Sequence, residues 1–271
     1  MSSTEELSGR LAGCGIVVTR PADQAECMCA AIEVAGGRAI RFPVLEILDP
    51  TNADAMHLAI ERLDAYDMAI FISANAVNRA MNLILGRHGL PSTLKRVAIG
   101  RGTARALKNF GAPAHIYPRQ RFNSEALLAM DEMQAVNGSR IVIFRGEGGR
   151  ELLGDTLRAR GAQVDYVEAY RRGRPSADVD ALMRHWARGE VQAFVVTSGE
   201  SLRNLFDMVG RLGQQWLRNT QLVVLSDRTA LSATEMGVKA PPLVAAEASD
   251  ASVIDALVTW WENGVRRNAC C

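Results

Sequence analysis

A chain of 271 residues that is 48% hydrophobic and 23% charged has the balance of a globular enzyme and enough material for two cores of ordinary size. Its net charge of +1 supplies no bulk field to recruit nucleic acid or an anionic membrane, so an acidic ligand must be held by local geometry. No run of about 18 apolar residues occurs, and the stretch from Met1 to Ala12 is polar, which sets the expectation of a cytoplasmic protein with no membrane contact.

In chain order, Gly15-Ile16-Val17-Val18-Thr19 is a short β-branched run of the kind that forms a buried parallel strand. Arg20-Pro21 then opens a helix with proline in its first turn, and Gly36-Gly37 should stop it. Further strands are predicted at about 38–42, 68–73, 97–100, 114–117, 140–145, 163–168, 192–197, 221–226 and 242–246, most of them followed by a helical pattern. Strands alternating with helices mean α/β architecture with parallel sheets. Ten strands are many for one sheet and suit two sheets of about five.

A repeat supports that division. Phe71-Ile72-Ser73-Ala74-Asn75, then Val97-Ala98-Ile99-Gly100-Arg101-Gly102-Thr103, then Asn123-Ser124-Glu125 is answered about 125 residues later. The second copy reads Val195-Val196-Thr197-Ser198-Gly199, then Val223-Val224-Leu225-Ser226-Asp227-Arg228-Thr229, then Ser249-Asp250-Ala251-Ser252. Two copies are too few for a solenoid, and the economical reading is two similar doubly wound domains. The strand-helix-strand at 15–42 precedes the first copy and has no counterpart just before the second. The apolar segments 42–48 and 166–172 read as two crossings. The expected layout is therefore a discontinuous domain of residues 1–43 and 173–265, an inserted domain of residues 47–168, and a flexible tail at 266–271. Two crossing strands side by side would join the domains as a ladder.

Each copy places hydroxyl residues where a strand hands over to a helix. Open α/β sheets bind ligands at the carboxyl ends of their strands, and helix starts offer unpaired N–H groups and partial positive charge. Ser73, Thr103, Ser124, Thr197, Ser198, Thr229 and Ser252 are accordingly candidates, although each also has an ordinary reading as a helix cap. Gly146-Glu147-Gly148-Gly149-Arg150 follows a strand but lacks both the phosphate-loop Lys-Ser/Thr and dinucleotide spacing. It reads as an anion-binding turn around Gly148, with Arg145 and Arg150 as carboxylate partners. The alternative is a tight turn with surface arginines. Arg20, Arg101 and Arg228 are further candidates of the same kind.

The five cysteines (Cys14, Cys27, Cys29, Cys270 and Cys271) are odd in number, and the predicted helix points Cys27 and Cys29 to different sides, against a disulfide framework or a zinc site. His57, His88, His115 and His185 lack ligand spacing, so no metal is expected.

Taken together, the opening Ile16-Val17-Val18-Thr19-Arg20-Pro21, the segment 71–77, Val97 to Ala104, Phe122 to Leu128, Arg145 to Leu153, Tyr170-Arg171-Arg172 and Thr197 to Leu202 resemble, in order, the uroporphyrinogen-III synthase family. The resemblance covers roughly residues 15–262. It implies two α/β domains joined by a two-stranded ladder, no cofactor, and conversion of hydroxymethylbilane to uroporphyrinogen III with loss of water and inversion of ring D. It also implies that Tyr170 corresponds to the ladder tyrosine and donates a proton to the departing oxygen, where the alternative is a ring that only packs. Thr103 and Thr229 join it in the catalytic set. A monomer in transient contact with hydroxymethylbilane synthase is expected, with no nucleic-acid partner. A two-domain effector-binding module and a nucleotide-dependent transferase are the rival readings; the former lacks a helix-turn-helix segment or leader, the latter a phosphate-loop fingerprint.

Overall fold

The computed structural model describes residues 9–87 and 89–269, with side chains to residue 264. His88, Cys270 and Cys271 lie outside the described residues. In chain order the elements are β1 (Gly15–Val18), α1 (Glu26–Val34), β2 (Arg38–Arg41), β3 (Glu46–Leu48), α2 (Ala53–Glu61), β4 (Met68–Phe71), α3 (Ala74–Leu85), β5 (Lys95–Ala98) and α4 (Arg101–Asn109). They continue with α5 (Ser124–Leu128), α6 (Asp131–Gln134), β6 (Arg140–Gly146), α7 (Leu152–Ala159), β7 (Gln163–Gly173), α8 (Val179–Ala187), β8 (Ala193–Val196) and α9 (Gly199–Met208). The last are α10 (Gly210–Leu217), β9 (Gln221–Val224), α11 (Asp227–Glu235), β10 (Leu243–Val244) and α12 (Asp250–Ala269).

The chain divides into two compact units, one built from the chain up to Glu46 and from Gly173 onward, the other from Ile47–Arg172. The first unit holds a sheet of order β10-β9-β8-β1-β2, with every neighbouring pair parallel. The second sheet has the order β3-β7-β6-β4-β5, with β7, β6, β4 and β5 parallel.

Both sheets obey one rule of burial. In β4 and β6, Ala69, Phe71, Val142 and Phe144 enter one core while Met68, Ile70, Ile141 and Ile143 enter the other. In β8 the same alternation sends Ala193 and Val195 to one side and Phe194 and Val196 to the other. A strand covered by helices on both faces must be apolar throughout, which is why these strands read as continuous hydrophobic runs. Phe71 and Phe144 stack with ring centroids 5.1 Å apart, and each such side chain contributes about 1.5–3 kcal/mol through burial.

One expected strand differs. The predicted strand 114–117 is reduced to a single bridge, Val97 to Ile116, because Pro113 and Pro118 bracket it and supply no N–H. The segment 42–48, expected as a crossing strand beside 166–172, supplies β3 at Glu46–Leu48, the edge strand beside β7. After Pro21 the chain first makes a 3-10 turn, Ala22–Gln24, and only then α1, with Gly36 at φ 84° just past its end. α12 continues to Ala269, through most of the segment expected as a tail.

Candidate active site at the carboxyl ends of the strands

The order of strands marks where a ligand would enter. In the first unit β1 leads outward to β2 on one side and the chain returns at β8 on the other. In the second, β4 leads to β5 and the chain returns at β6. In open α/β sheets such a reversal is where a ligand enters, at the carboxyl ends of the flanking strands, here β1 and β8 in one unit and β4 and β6 in the other. Arg20, Thr197 and Ser198 follow the first pair of strands. Ser73 and the Gly146–Arg150 turn follow the second.

Tyr170 comes to lie beside the ends of β4 and β6 through a break in register. β7 pairs Glu168 with Arg145 but Tyr170 with Gly146, so Ala169 is an extra residue. Without that bulge Tyr170 would share a face with Val164 and Tyr166; instead it joins Val167, Ala169, Phe71 and Phe144 in the opposite core. Its ring lies against Gly146, where a Cβ would stand 2.7 Å from Cζ and 3.0 Å from the phenol oxygen. Only glycine admits the ring there. The phenol oxygen accepts a hydrogen bond from Ser73 Oγ at 3.1 Å and one from Arg172 Nη2 at 3.5 Å. Because both neighbours donate, the phenol's own proton is left to point elsewhere. Tyr170 is 2% exposed.

Ser73 does two jobs, since its Oγ also accepts from Ala76 N at 3.1 Å and caps α3. Ser198 caps α9 through Ser201 N at 3.0 Å, at the matching position after β8. The next strand of each unit repeats the arrangement. Thr229 is the third residue of α11, and the cap is Ser226, whose Oγ lies 2.9 Å from Thr229 Oγ1 and accepts from Thr229 N. Thr103 is likewise the third residue of α4, but its cap position is Gly100, which carries no hydroxyl. Both threonines are buried, Thr103 at 5% and Thr229 at 4% exposure.

Ser124 is the first residue of α5 rather than its cap; Asn123 Oδ1 accepts from Ala126 N at 2.8 Å. Ser252 accepts from Glu247 N at 3.1 Å, and its own N–H goes to Ser249 Oγ. Asn123, Ser226 and Ser249 are thus local anchors that the sequence reading passed over. Their signal was there, a cap-type residue three positions ahead of Ala126, Thr229 and Ser252. Asn52 and Asp178 cap α2 and α8 in the same way, so capping alone does not mark a site.

Arg20, Arg145 and Arg150 are already engaged. Arg145 is 9% exposed, its guanidinium 4.0 Å from the Tyr166 ring centroid, with Nη2 3.6 Å from Glu168 and 3.9 Å from Glu151. Its Nε and Nη1 are buried with no hydrogen-bond partner. An incoming carboxylate would have to compete with the two glutamates. Arg150 pairs with Glu125 at 2.8 Å in the open, a contact that water and salt weaken readily. Arg20 pairs with Asp250 at 2.7 Å at the start of α12.

Gly148 and Gly149 take positive φ, 69° and 111°, as the turn requires. The turn is held by Glu147, whose backbone N–H reaches Tyr170 O at 2.8 Å and whose carboxylate accepts from Thr51 N. The Thr51 N–H is the main reason the Glu147 carboxyl sits below its ordinary pKa. One early α7 N–H, that of Gly154, is taken by Tyr166 OH at 2.8 Å. No cluster of three or more His, Cys, Asp or Glu suited to a metal occurs among the described residues.

Hydroxyls, backbone N–H groups and a buried phenol at the strand ends of two parallel sheets define an open α/β protein of the ligand-handling class. The family described as Uroporphyrinogen-III synthase HemD matches residues 27–255. The chain belongs to the uroporphyrinogen-III synthase family. It is 35% identical to the uroporphyrinogen-III synthase of Escherichia coli (strain K12) over 224 residues, covering 82% of this chain and 91% of that one. It is 38% identical to that of Salmonella typhimurium over 230 residues, covering 82% and 91%. Among solved structures, a mutant uroporphyrinogen III synthase from the extremely thermophilic bacterium Thermus thermophilus matches with a TM-score of 0.57 at 20% identity, covering 94% of this chain and 99% of that one. The uroporphyrinogen-III synthetase of Helicobacter pylori matches with a TM-score of 0.56 at 14% identity, covering 91% and 99%. At those identities the structural likeness concerns the fold.

Proposed function

We propose that this chain is a lyase that closes hydroxymethylbilane to uroporphyrinogen III, in tetrapyrrole biosynthesis, without a cofactor. Membership of the family over most of the chain is the observation that carries the reaction. In that reaction the terminal hydroxymethyl oxygen leaves as water, taking one proton, and the pyrrole nitrogen supplies the electron pair that leaves an azafulvene-like cation. The substituted carbon of ring D attacks the cation to form a spiro intermediate. The original bond from ring C's bridge to that carbon then breaks, giving a second azafulvene-like cation, which ring D's unsubstituted α-carbon on the other side of its nitrogen attacks. That carbon loses its proton, balancing the one taken by the water, and ring D is inverted.

The residue roles are part of the same proposal. Tyr170 donates the proton to the departing oxygen; its phenol oxygen is held from behind by Ser73 and Arg172, which favours a proton directed forward. Thr103 and Thr229, at like positions in the two units, assist catalysis, while Arg20, Ser73, Ser124, Arg145, Gly148, Arg150, Thr197, Ser198 and Ser252 hold the carboxylates together with helix-start N–H groups. The reading also takes residues 1–43 with 173–265, and 47–168, as two domains joined by a ladder in which β7 and its neighbour β3 take part. It places the protein in the cytoplasm as a monomer that meets hydroxymethylbilane synthase transiently. No helix among the described residues is long and apolar enough to cross a membrane.

The residue assignment is tested by Tyr170→Phe, which keeps the ring and removes one oxygen. Consumption of hydroxymethylbilane should slow by about 10- to 1000-fold, and wild-type turnover would leave the ring with packing alone.

A further inference from the structure

Between Asp67 and Glu125 the chain carries no acidic side chain, although the protein as a whole is nearly neutral. Two cations of this tract are matched from outside it, Arg79 by Asp49 and Arg87 by Glu61. Six others are exposed and form no ion pair among the described residues: Lys95 at the start of β5, and Arg101, Arg105, Lys108, Arg119 and Arg121. Spacings of four and three residues put Arg101, Arg105 and Lys108 on one stripe of α4, opposite the buried Thr103 and Leu107.

The segment after Ile116 packs against the head of that stripe. A Cβ on Gly100 would meet Phe122 Cβ at 2.6 Å, and the Arg101 guanidinium lies 5.6 Å from the Phe122 ring centroid. Arg119 lies 5.4 Å from the Tyr117 ring centroid. Arg119 and Arg121 also border a cavity of about 480 Å³ whose other walls include Tyr117, Ala126 and Met130. Glu125, the first acid after the tract, is held by Arg150. The combination is an apolar hollow of ring size, rimmed and flanked by unmatched cations.

We propose that this face captures the carboxylated pyrroles of the linear tetrapyrrole before chemistry, steering it toward the helix start that carries Thr103. The inference rests on the reading above for the identity of the ligand. Unpaired like charges on one face cost stability by mutual repulsion and raise the encounter rate of an oppositely charged ligand. A substrate with eight carboxylates gains most from such a field, and a protein of net charge +1 can offer it only by segregation.

The test compares wild type with the fourfold variant R105Q/K108Q/R119Q/R121Q. A control of equal charge change, R62Q/R188Q/R211Q/K239Q, alters exposed cations elsewhere. At low ionic strength the fourfold variant should lose about 10- to 100-fold in kcat/KM, with kcat within about twofold and the ratio of type III to type I product unchanged. Its kcat/KM should depend less on salt than that of wild type, while the control follows wild type. Uroporphyrin, the oxidised octacarboxylate, serves as a probe that needs no turnover, and fluorescence titration should show a comparable loss of affinity. A fourfold variant with wild-type kcat/KM and uroporphyrin affinity, or an equal loss in the control, would overturn the proposal. Failure of wild type to make the type III isomer would instead sink the functional reading, and the uroporphyrin titration would still decide the fate of this face.

Discussion

Tyr170 depends on a neighbour that has no side chain. Gly146→Ala would drive a methyl group into the ring at 2.7 Å, and overpacking of this kind costs about 1–3 kcal/mol. Gly146→Ala is therefore expected to lower both Tm and turnover, whereas Tyr170→Phe lowers turnover with Tm nearly constant. Equal Tm for wild type and Gly146→Ala would show that the ring can move aside. Thr103 and Thr229 permit a cleaner comparison, because the caps of their helices are Gly100 and Ser226. Thr→Ala at either site should cost less stability than the roughly 1 kcal/mol of a lost cap, yet reduce turnover by an order of magnitude or more. Thr→Ser should restore most of it. Activity that simply follows thermal stability across these variants would assign both threonines to the fold. Hydroxyls at strand ends were legible from the chain because position after a β-branched run suffices to place them. Which of them are caps was legible only in part: the spacing of three marks Asn123, Ser226 and Ser249, but where cap-type residues adjoin, as in Asn123-Ser124, backbone geometry chooses between them.

At the scale of elements, apolar β-branched runs located nine of the ten strands, because burial on both faces leaves a local mark in composition. β3 was read as a crossing strand and not counted among the ten predicted strands, since three residues at a sheet edge leave almost no such mark. The segment 114–117 looked like a strand by residue type and lost its ladder to flanking prolines. The bulge at Ala169 was invisible in the chain, yet it decides which core receives Tyr170. One element junction makes a pH prediction. Glu190, after α8, bonds His185 Nδ1 at 2.6 Å and lies 2.9 Å from Arg38 Nη2 of β2; the His185 bond first, then Arg38, holds its carboxyl below the ordinary range. A carboxyl with a lowered folded-state pKa stabilises the fold above its unfolded value of about 4.3 and loses that contribution as pH falls through the folded value. Tm should therefore drop on going from about pH 7 to about pH 4 and below, and Glu190→Gln should flatten that drop while lowering Tm at neutral pH. An unchanged pH profile in Glu190→Gln would show that the contact carries no such linkage.

For the whole molecule, the two sheets correspond by spatial neighbours more than by chain order. β8, β9 and β10 with β1 and β2 match β4, β5 and the Ile116 bridge with β6 and β7. In the first unit the strand pair β1–β2 comes first in the chain; in the second its counterpart β6–β7 comes last. This permutation explains why the repeat was legible while the opening strand-helix-strand lacked a partner just ahead of the second copy. It also gives Thr103 and Thr229 the same address in each unit. A binding module with these strand ends would hold a tetrapyrrole without changing it, so turnover separates the readings. The most direct measurement is product analysis after adding hydroxymethylbilane to protein purified without nucleotide and treated with a chelator. The account predicts mainly the type III isomer, with the chelator making no difference. A type III fraction no higher than that formed without protein would contradict it.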